Sequence, residues 1–216
     1  MALAVLVLSI EFALSGLVAT QIDLGEQVPI HWGIDGRADG YGPAWLALLL
    51  GPLLTAGLAG VFALIPAIDP RRANLERSRE AYRWMVGSIL AFVGLVHVLV
   101  LLAAMDTGID VTRLIGIGIG LLLVVIGNFL GKLRSTWFVG IRTPWTLSSE
   151  RAWARTHRLG GYLFVALGLV IALSGMLLPV GVIAVVAGIG AAIVTGALVL
   201  YSFFAWRDDP ERRGSS

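Results

Sequence analysis

Apolar residues run along this chain in long blocks rather than in alternation. Six blocks stand out, at about residues 2–20, 43–67, 84–105, 113–130, 159–178 and 180–204. A helix rising 1.5 Å per residue needs roughly 20 residues to cross a hydrocarbon core about 30 Å thick. Backbone groups in lipid must be satisfied within their own segment, and continuous apolarity lacks the two-residue period of a barrel strand. The pattern therefore predicts an all-α integral membrane protein with six transmembrane helices. Composition agrees, since 57% of residues are hydrophobic and 14% charged, unlike a soluble domain.

The polar residues between the blocks sort by sign. Arg71, Arg72, Arg77, Arg79 and Arg83 fall in the second connection, and Lys132, Arg134, Arg142, Arg151, Arg155 and Arg158 in the fourth; Arg207, Arg212 and Arg213 follow the last block. The intervening connections hold only Arg37 and Arg113. Cations accumulate on the cytoplasmic side, so both termini are expected there, with a short turn-rich extracytoplasmic loop at 21–42. This sorting accounts for the net charge of +2 without nucleic acid as a partner. The chain is expected to divide into an N-terminal two-helix unit (1–68), a basic linker (69–83), a four-helix region (84–206) with a cytoplasmic loop at 131–158, and a tail (207–216). The first block has no basic leader and carries Glu11 in its middle, which marks an uncleaved span. Cysteine is absent, which excludes disulfides and thiolate chemistry; no metal or other cofactor is implied.

Glycines foretell helix packing, because small residues let backbones approach closely in lipid. Gly161, Gly168 and Gly175 recur every seven residues, as do Gly87 and Gly94, and Gly181 and Gly188; Gly127 and Gly131 form a GxxxG step. Gly116, Gly118 and Gly120 crowd one turn and predict a kink or unwinding there. Glu11, His97 and Asn128 are the polar candidates within the membrane. Counted at 1.5 Å per residue from the cytoplasmic face, Glu11 is about 14 Å deep and His97 about 20 Å, so direct pairing requires tilt.

Two polar islands remain. On the outer side, Val28 to Gly42 is dense in turn formers, and Asp35-Gly36 suits a tight two-residue reversal. His31, Asp35 and Asp39 lack the spacing of a known metal motif; His31 and Trp32 suit an interface, and the aspartates suit turns. On the inner side, Gly140, Arg142, Thr143, Pro144, Trp145, Ser148 and Glu150 lead to Trp153, Thr156, His157 and Arg158. Thr143-Pro144 predicts a break, and Ser148 or Ser149 a cap for a helix beginning near Glu150. Helical spacing puts Glu150, Trp153, His157 and Gly161 on one face, and Arg151, Arg155 and Arg158 on another, toward the phosphates of membrane lipids. A serine nucleophile paired with His157 lacks an elbow and a paired acid.

Gly127-Asn128, Lys132-Leu133-Arg134 and the run from Phe138 through Arg158 resemble the signature of the bacterial SdpI immunity-protein family. Pro29, His31-Trp32, Gly36 and Asp39 resemble the short extracytoplasmic motif found ahead of it. Ser135-Thr136 departs from the family's Pro-Asn, which bears on the local turn. The resemblance implies a non-enzymatic protein of the bacterial cytoplasmic membrane that protects its producer from a secreted peptide toxin. It also implies a receptor role, holding a cytoplasmic helix-turn-helix repressor at the membrane. On that reading His31, Trp32, Asp35 and Asp39 meet the toxin, and the inner motif from Lys132 to Arg158 shapes a docking surface. The competing readings are a small membrane enzyme or transporter acting on lipid head groups or peptides, with Glu150 and His157 as acid and base, and a structural subunit of a membrane complex.

Overall fold

A computed structural model describes residues 2–210. The sequence-predicted tail therefore lies partly outside the described residues, Arg212 and Arg213 included. Ten elements follow one another: α1 (Ala2–Ala19), β1 (Gln27–Trp32), β2 (Ala38–Pro43), α2 (Ala44–Ile68), α3 (Arg72–Arg77), α4 (Arg79–Ala104), α5 (Val111–Leu130), α6 (Pro144–Ser148), α7 (Glu150–Leu177) and α8 (Val180–Arg207). All but the strands and the short α3 and α6 are long and apolar enough to cross a membrane, six helices among the described residues. The chain is a multi-pass membrane protein.

The wholly helical expectation needs one correction. Residues 27–43 form an antiparallel hairpin rather than a string of turns. Its reversal is also longer than two residues: the Gly33 N–H donates to the Arg37 carbonyl at 2.8 Å, with Asp35-Gly36 at the tip and Gly36 at φ +85°. The register shifts between Pro29 and His31, a bulge that sets Ile30 apart from the ladder. Val28 is buried, and Ile30 packs with it against the ends of α2 and α4. The hairpin tip reaches the turn between α7 and α8, where a Cβ on Gly36 would lie 3.0 Å from the Val180 side chain. The hairpin thus lies across one end of the bundle.

Glycine spacing becomes packing where α5 meets α7. A Cβ on Gly120 would lie 2.5 Å from the Gly168 carbonyl oxygen, and one on Gly127 would lie 2.7 Å from that of Gly161. Two seven-residue repeats run antiparallel, and neither helix has room for a side chain at these crossings. The helix is not unwound at Gly116–Gly120, because α5 is continuous from Val111 to Leu130. Instead each glycine admits a different neighbour: Ile183 of α8 against Gly116, Phe92 and Leu95 of α4 against Gly118, and α7 against Gly120. Gly87 and Gly94 receive Leu3 and Val7 of α1. The expectation for α8 fails, since Gly188 meets open space and Gly181 only the Ile34 carbonyl at 4.0 Å; Gly190, packed on Leu167, makes the contact.

Two prolines inside α2 explain two cross-helix hydrogen bonds. Proline has no N–H, so the carbonyl four residues earlier loses its helical donor. Pro52 frees the Leu48 carbonyl, to which Ser15 Oγ of α1 donates at 2.8 Å. Pro66 frees the Phe62 carbonyl, to which Tyr82 Oη of α4 donates at 2.5 Å. Each hydroxyl restores a partner that lipid cannot supply.

Candidate functional site

The arginine-rich end, opposite the hairpin, is built from residues that are far apart in sequence. Asp69 follows α2 and is buried; its carboxylate accepts from the backbone N–H groups of Arg71 at 2.7 Å, Trp137 at 3.0 Å and Phe138 at 3.3 Å. Arg71 donates to Ser135 Oγ at 2.8 Å and to the Leu147 carbonyl at 2.7 Å, and Asn74 Nδ2 donates to the Ser135 carbonyl at 2.9 Å. Ser135 Oγ donates in turn to the Glu150 carboxylate. The 69–83 segment, expected as a linker, is thus helix α3 and the first turn of α4, and it anchors the loop at 131–149. Ser135 and Thr136, the departure from the family pattern, are both fully buried. Thr136 Oγ1 donates to the Val139 carbonyl at 2.6 Å, so hydroxyls hold this turn.

Trp153 and His157 lie at the centre of this end, one helical turn apart, with ring centroids 3.9 Å apart and planes within 16°. Trp153 Nε1 donates to the Leu133 carbonyl at 2.8 Å. His157 Nε2 accepts from the Ile141 N–H at 2.9 Å, while its Nδ1 lies 2.9 Å from the Trp153 carbonyl and must donate to it. This pair of bonds describes a neutral imidazole with both nitrogens occupied by backbone, 0% exposed. Gly140 stands over the two rings at φ +115°; a Cβ there would lie 2.5 Å from His157 Nε2 and 2.9 Å from the Trp153 ring.

The remaining motif residues divide into buried ties and an exposed surface. Thr143 caps α6 with a reciprocal bond to Thr146 and reaches Ser202 of α8 at 3.1 Å. Ser149, not Ser148, caps α7: it accepts from the Ala152 N–H at 2.9 Å and donates to Asp209 at 2.5 Å. Ser148 donates to the Pro144 carbonyl, and Trp145 meets Phe203 edge-on at 5.4 Å. Thr156 is fully buried, with no partner for its hydroxyl among the described residues. Arg142 extends from the loop and donates to the Trp137 carbonyl at 3.1 Å. Lys132, Arg134, Arg142, Pro144, Ser148, Arg151, Arg155 and Arg158 are exposed, as are the aromatic Trp137 and Phe138. Neither serine is placed to be activated by His157, whose nitrogens are already committed.

Inside the bundle, Glu11 and His97 are both buried, and their side chains take different partners. Thr55 Oγ1 donates to Glu11 Oε1 at 2.9 Å, and Oε2 has no partner among the described residues. Ser15, one turn from Glu11, spends its proton on Leu48, so its oxygen accepts from His97 Nε2 at 2.9 Å. His97 lies flat on Gly51, where a Cβ would stand 2.3 Å from the ring. Asn128 does not join this cluster; it lies on the exposed surface of α5.

At the hairpin end, His31 Nδ1 and Asp39 Oδ1 are 2.5 Å apart across the strands, on exposed side chains. Asp35 Oδ1 accepts from the Arg37 N–H at 3.1 Å, folding back on its own turn. Beneath the hairpin, Ile30, Gly51, Leu54, Val96 and His97 line a mostly apolar crevice of about 60 Å³ between α2 and α4.

Two family models match the chain. The SdpI/YfhL protein family covers residues 132–202, and a domain of unknown function, DUF1648, covers residues 12–56. The Immunity protein SdpI of Bacillus subtilis (strain 168) is 26% identical over 152 residues, which is 69% of each chain. The chain is similar to SdpI-type membrane proteins. No solved structure matches it. The SdpI-type match begins at Lys132, where the anchored loop begins, and ends at Ser202, which receives Thr143. The other match spans Ser15, the hairpin, Gly51, Pro52 and Thr55, but stops short of His97, which α4 supplies.

Arg71, Ser135 and Thr146 stand out in the sequence only as a loop cation, a turn residue and a member of the motif run, with no site role, and Asp69, Asn74 and Asp209 do not stand out at all. Asp69-Pro70 at the end of an apolar block was the available signal, since an acid there invites backbone donors.

Proposed function

We propose that this protein is a membrane immunity protein, protecting its cell from a secreted peptide toxin that it binds at the hairpin end. The similarity to Immunity protein SdpI over 69% of both chains carries the reading. The hairpin supports it by offering two kinds of contact within one turn of each other. His31 and Asp39 present exposed polar groups with Trp32 beside them, and the crevice under Ile30 gives an apolar side chain a place against the His97 ring. An amphipathic peptide lying along the membrane surface has both kinds of group to offer. At the opposite, cytoplasmic end, exposed Trp137, Phe138 and Arg142 on a loop held rigid from below form the docking face for a cytoplasmic repressor.

The test is survival of a toxin-sensitive bacterium that lacks its own immunity gene, challenged with the peptide toxin of an SdpI-type system while expressing this chain. Wild type and Arg142→Ala should protect, whereas His31→Ala and Leu54→Trp, which fills the crevice, should lower survival at least tenfold at equal membrane abundance. Full protection by both hairpin-end variants would remove the proposed binding site. No protection by wild type, despite verified insertion, would remove the immunity reading for that toxin.

A further inference from the structure

At the arginine-rich end, a cavity of about 290 Å³ at the start of the SdpI-type loop opens between the α3–α4 junction and the end of α5, lined by Arg77, Ser78, Glu80, Ala81, Phe129 and Lys132. Its volume is near the lower limit of ligand pockets, roughly 300 Å³, and suits a head group rather than a whole lipid. Ser78 is a wall and not a free ligand, because its hydroxyl donates to the Asn74 carbonyl at 2.9 Å and accepts from the Arg134 N–H at 2.8 Å. That leaves two cations and one carboxylate as the charged lining. Among the described residues, neither Arg77 nor Lys132 forms an ion pair.

The side chains are also layered along the membrane normal. Lys132 stands beyond the last residue of α5, with its Nζ 4.6 Å from the centroid of the Phe129 ring. Phe129 stacks on Trp84 of α4 at 5.5 Å and 8°, and Trp84 is 55% exposed on the outside of the bundle. Cations therefore lie above an aromatic shelf at the edge of the apolar spans. That order matches a phospholipid, whose phosphate lies above its glycerol and acyl chains.

We propose that this cavity is a binding site for the phosphodiester head group of an anionic phospholipid, with Arg77 and Lys132 holding the phosphate and the Trp84–Phe129 stack supporting the glycerol and upper acyl region. The lining carries a net charge of +1 (Arg77 and Lys132 against Glu80), which favours a head group of net charge −1 over a zwitterionic one. The Phe129 face is already covered by Lys132, so no aromatic cage is open for a choline ammonium. Membrane anions are a better source than soluble phosphate because the exposed edge of the site is the lipid-facing Trp84.

The full chain is purified in detergent with phosphatidylglycerol, phosphatidylcholine or sodium phosphate at matched ionic strength, and retained lipid is counted by native mass spectrometry. One phosphatidylglycerol should be retained at least fivefold more than phosphatidylcholine, and sodium phosphate should not displace it. Arg77→Gln combined with Lys132→Gln should bring retention to the phosphatidylcholine level. Lys132→Gln alone, altering an exposed side chain, should lower it partway in a chain that keeps its fold. Glu80→Gln should raise it. Arg151→Gln combined with Arg155→Gln removes the same charge from a face without a cavity and should leave it unchanged. Equal retention of the two lipids, displacement by phosphate, or equal loss from the Arg151 and Arg155 pair would overturn the site.

Discussion

His157 was the residue most open to a chemical role, and its surroundings assign it a structural one. A neutral imidazole takes one donor and offers one; here the Ile141 N–H and the Trp153 carbonyl use both. Losing the ring would leave a buried loop N–H unpaired, a penalty of about 1–3 kcal/mol. Gly140 is subject to two constraints at once, a φ of +115° and the rings where its Cβ would stand. Gly140→Ala is therefore expected to destabilise the protein by about 2 kcal/mol or more, read as a lower unfolding temperature in detergent. An unchanged melting curve would mean that the loop does not lie on the rings. The sequence marked Gly140, Trp153 and His157 as notable, but not their stacking, because the interaction depends on a loop closing over a helix that begins ten residues later.

At the scale of elements, α2 is held to its neighbours by side chains that compensate for its prolines. The Tyr82 hydroxyl donates to a carbonyl that Pro66 leaves free, so the two residues should be coupled. Tyr82→Phe is expected to cost about 0.5–1.5 kcal/mol in the wild-type background, the range of interhelical hydrogen bonds in membranes. In a Pro66→Ala background the helix supplies its own donor to Phe62, and the cost should fall by at least half. A double-mutant cycle from unfolding in mixed micelles measures this coupling, and strict additivity would refute it. Both prolines were visible in the sequence. Which hydroxyl answered each carbonyl was not, since Ser15 and Tyr82 belong to different helices. Ile30 is similar: two-residue alternation across 27–32 does not reveal a bulge that places its side chain over the crevice.

Over the whole molecule, the hairpin and the Asp69-anchored loop lie at opposite ends of the six helices, and the cations crowd the second end. Because the chain has no cysteine, its orientation can be read with single introduced thiols. Asp35→Cys at the hairpin tip should react with a membrane-impermeant maleimide in intact cells, whereas Arg155→Cys should react only after permeabilisation. The reverse pattern would invert the topology and move the proposed toxin surface to the wrong side of the membrane. Both positions are exposed, so neither substitution should disturb packing.

The sequence by itself determined the class, the number of spans, the expected orientation and the seven-residue spacing of close contacts on α7. These follow from hydropathy, charge and the size of glycine, which are properties of single residues repeated along one helix. Tertiary structure alone decided what those residues meet. It made the Gly116–Gly120 cluster a three-sided packing point, and it linked Arg71 and Asn74 to Ser135, and Asp69 to Trp137, across more than 60 residues. It also gave the Glu11 carboxylate to Thr55 and the His97 ring to Ser15. Such partnerships depend on helix register and on which backbone groups remain unsatisfied after the helices form, and neither is encoded in a local pattern.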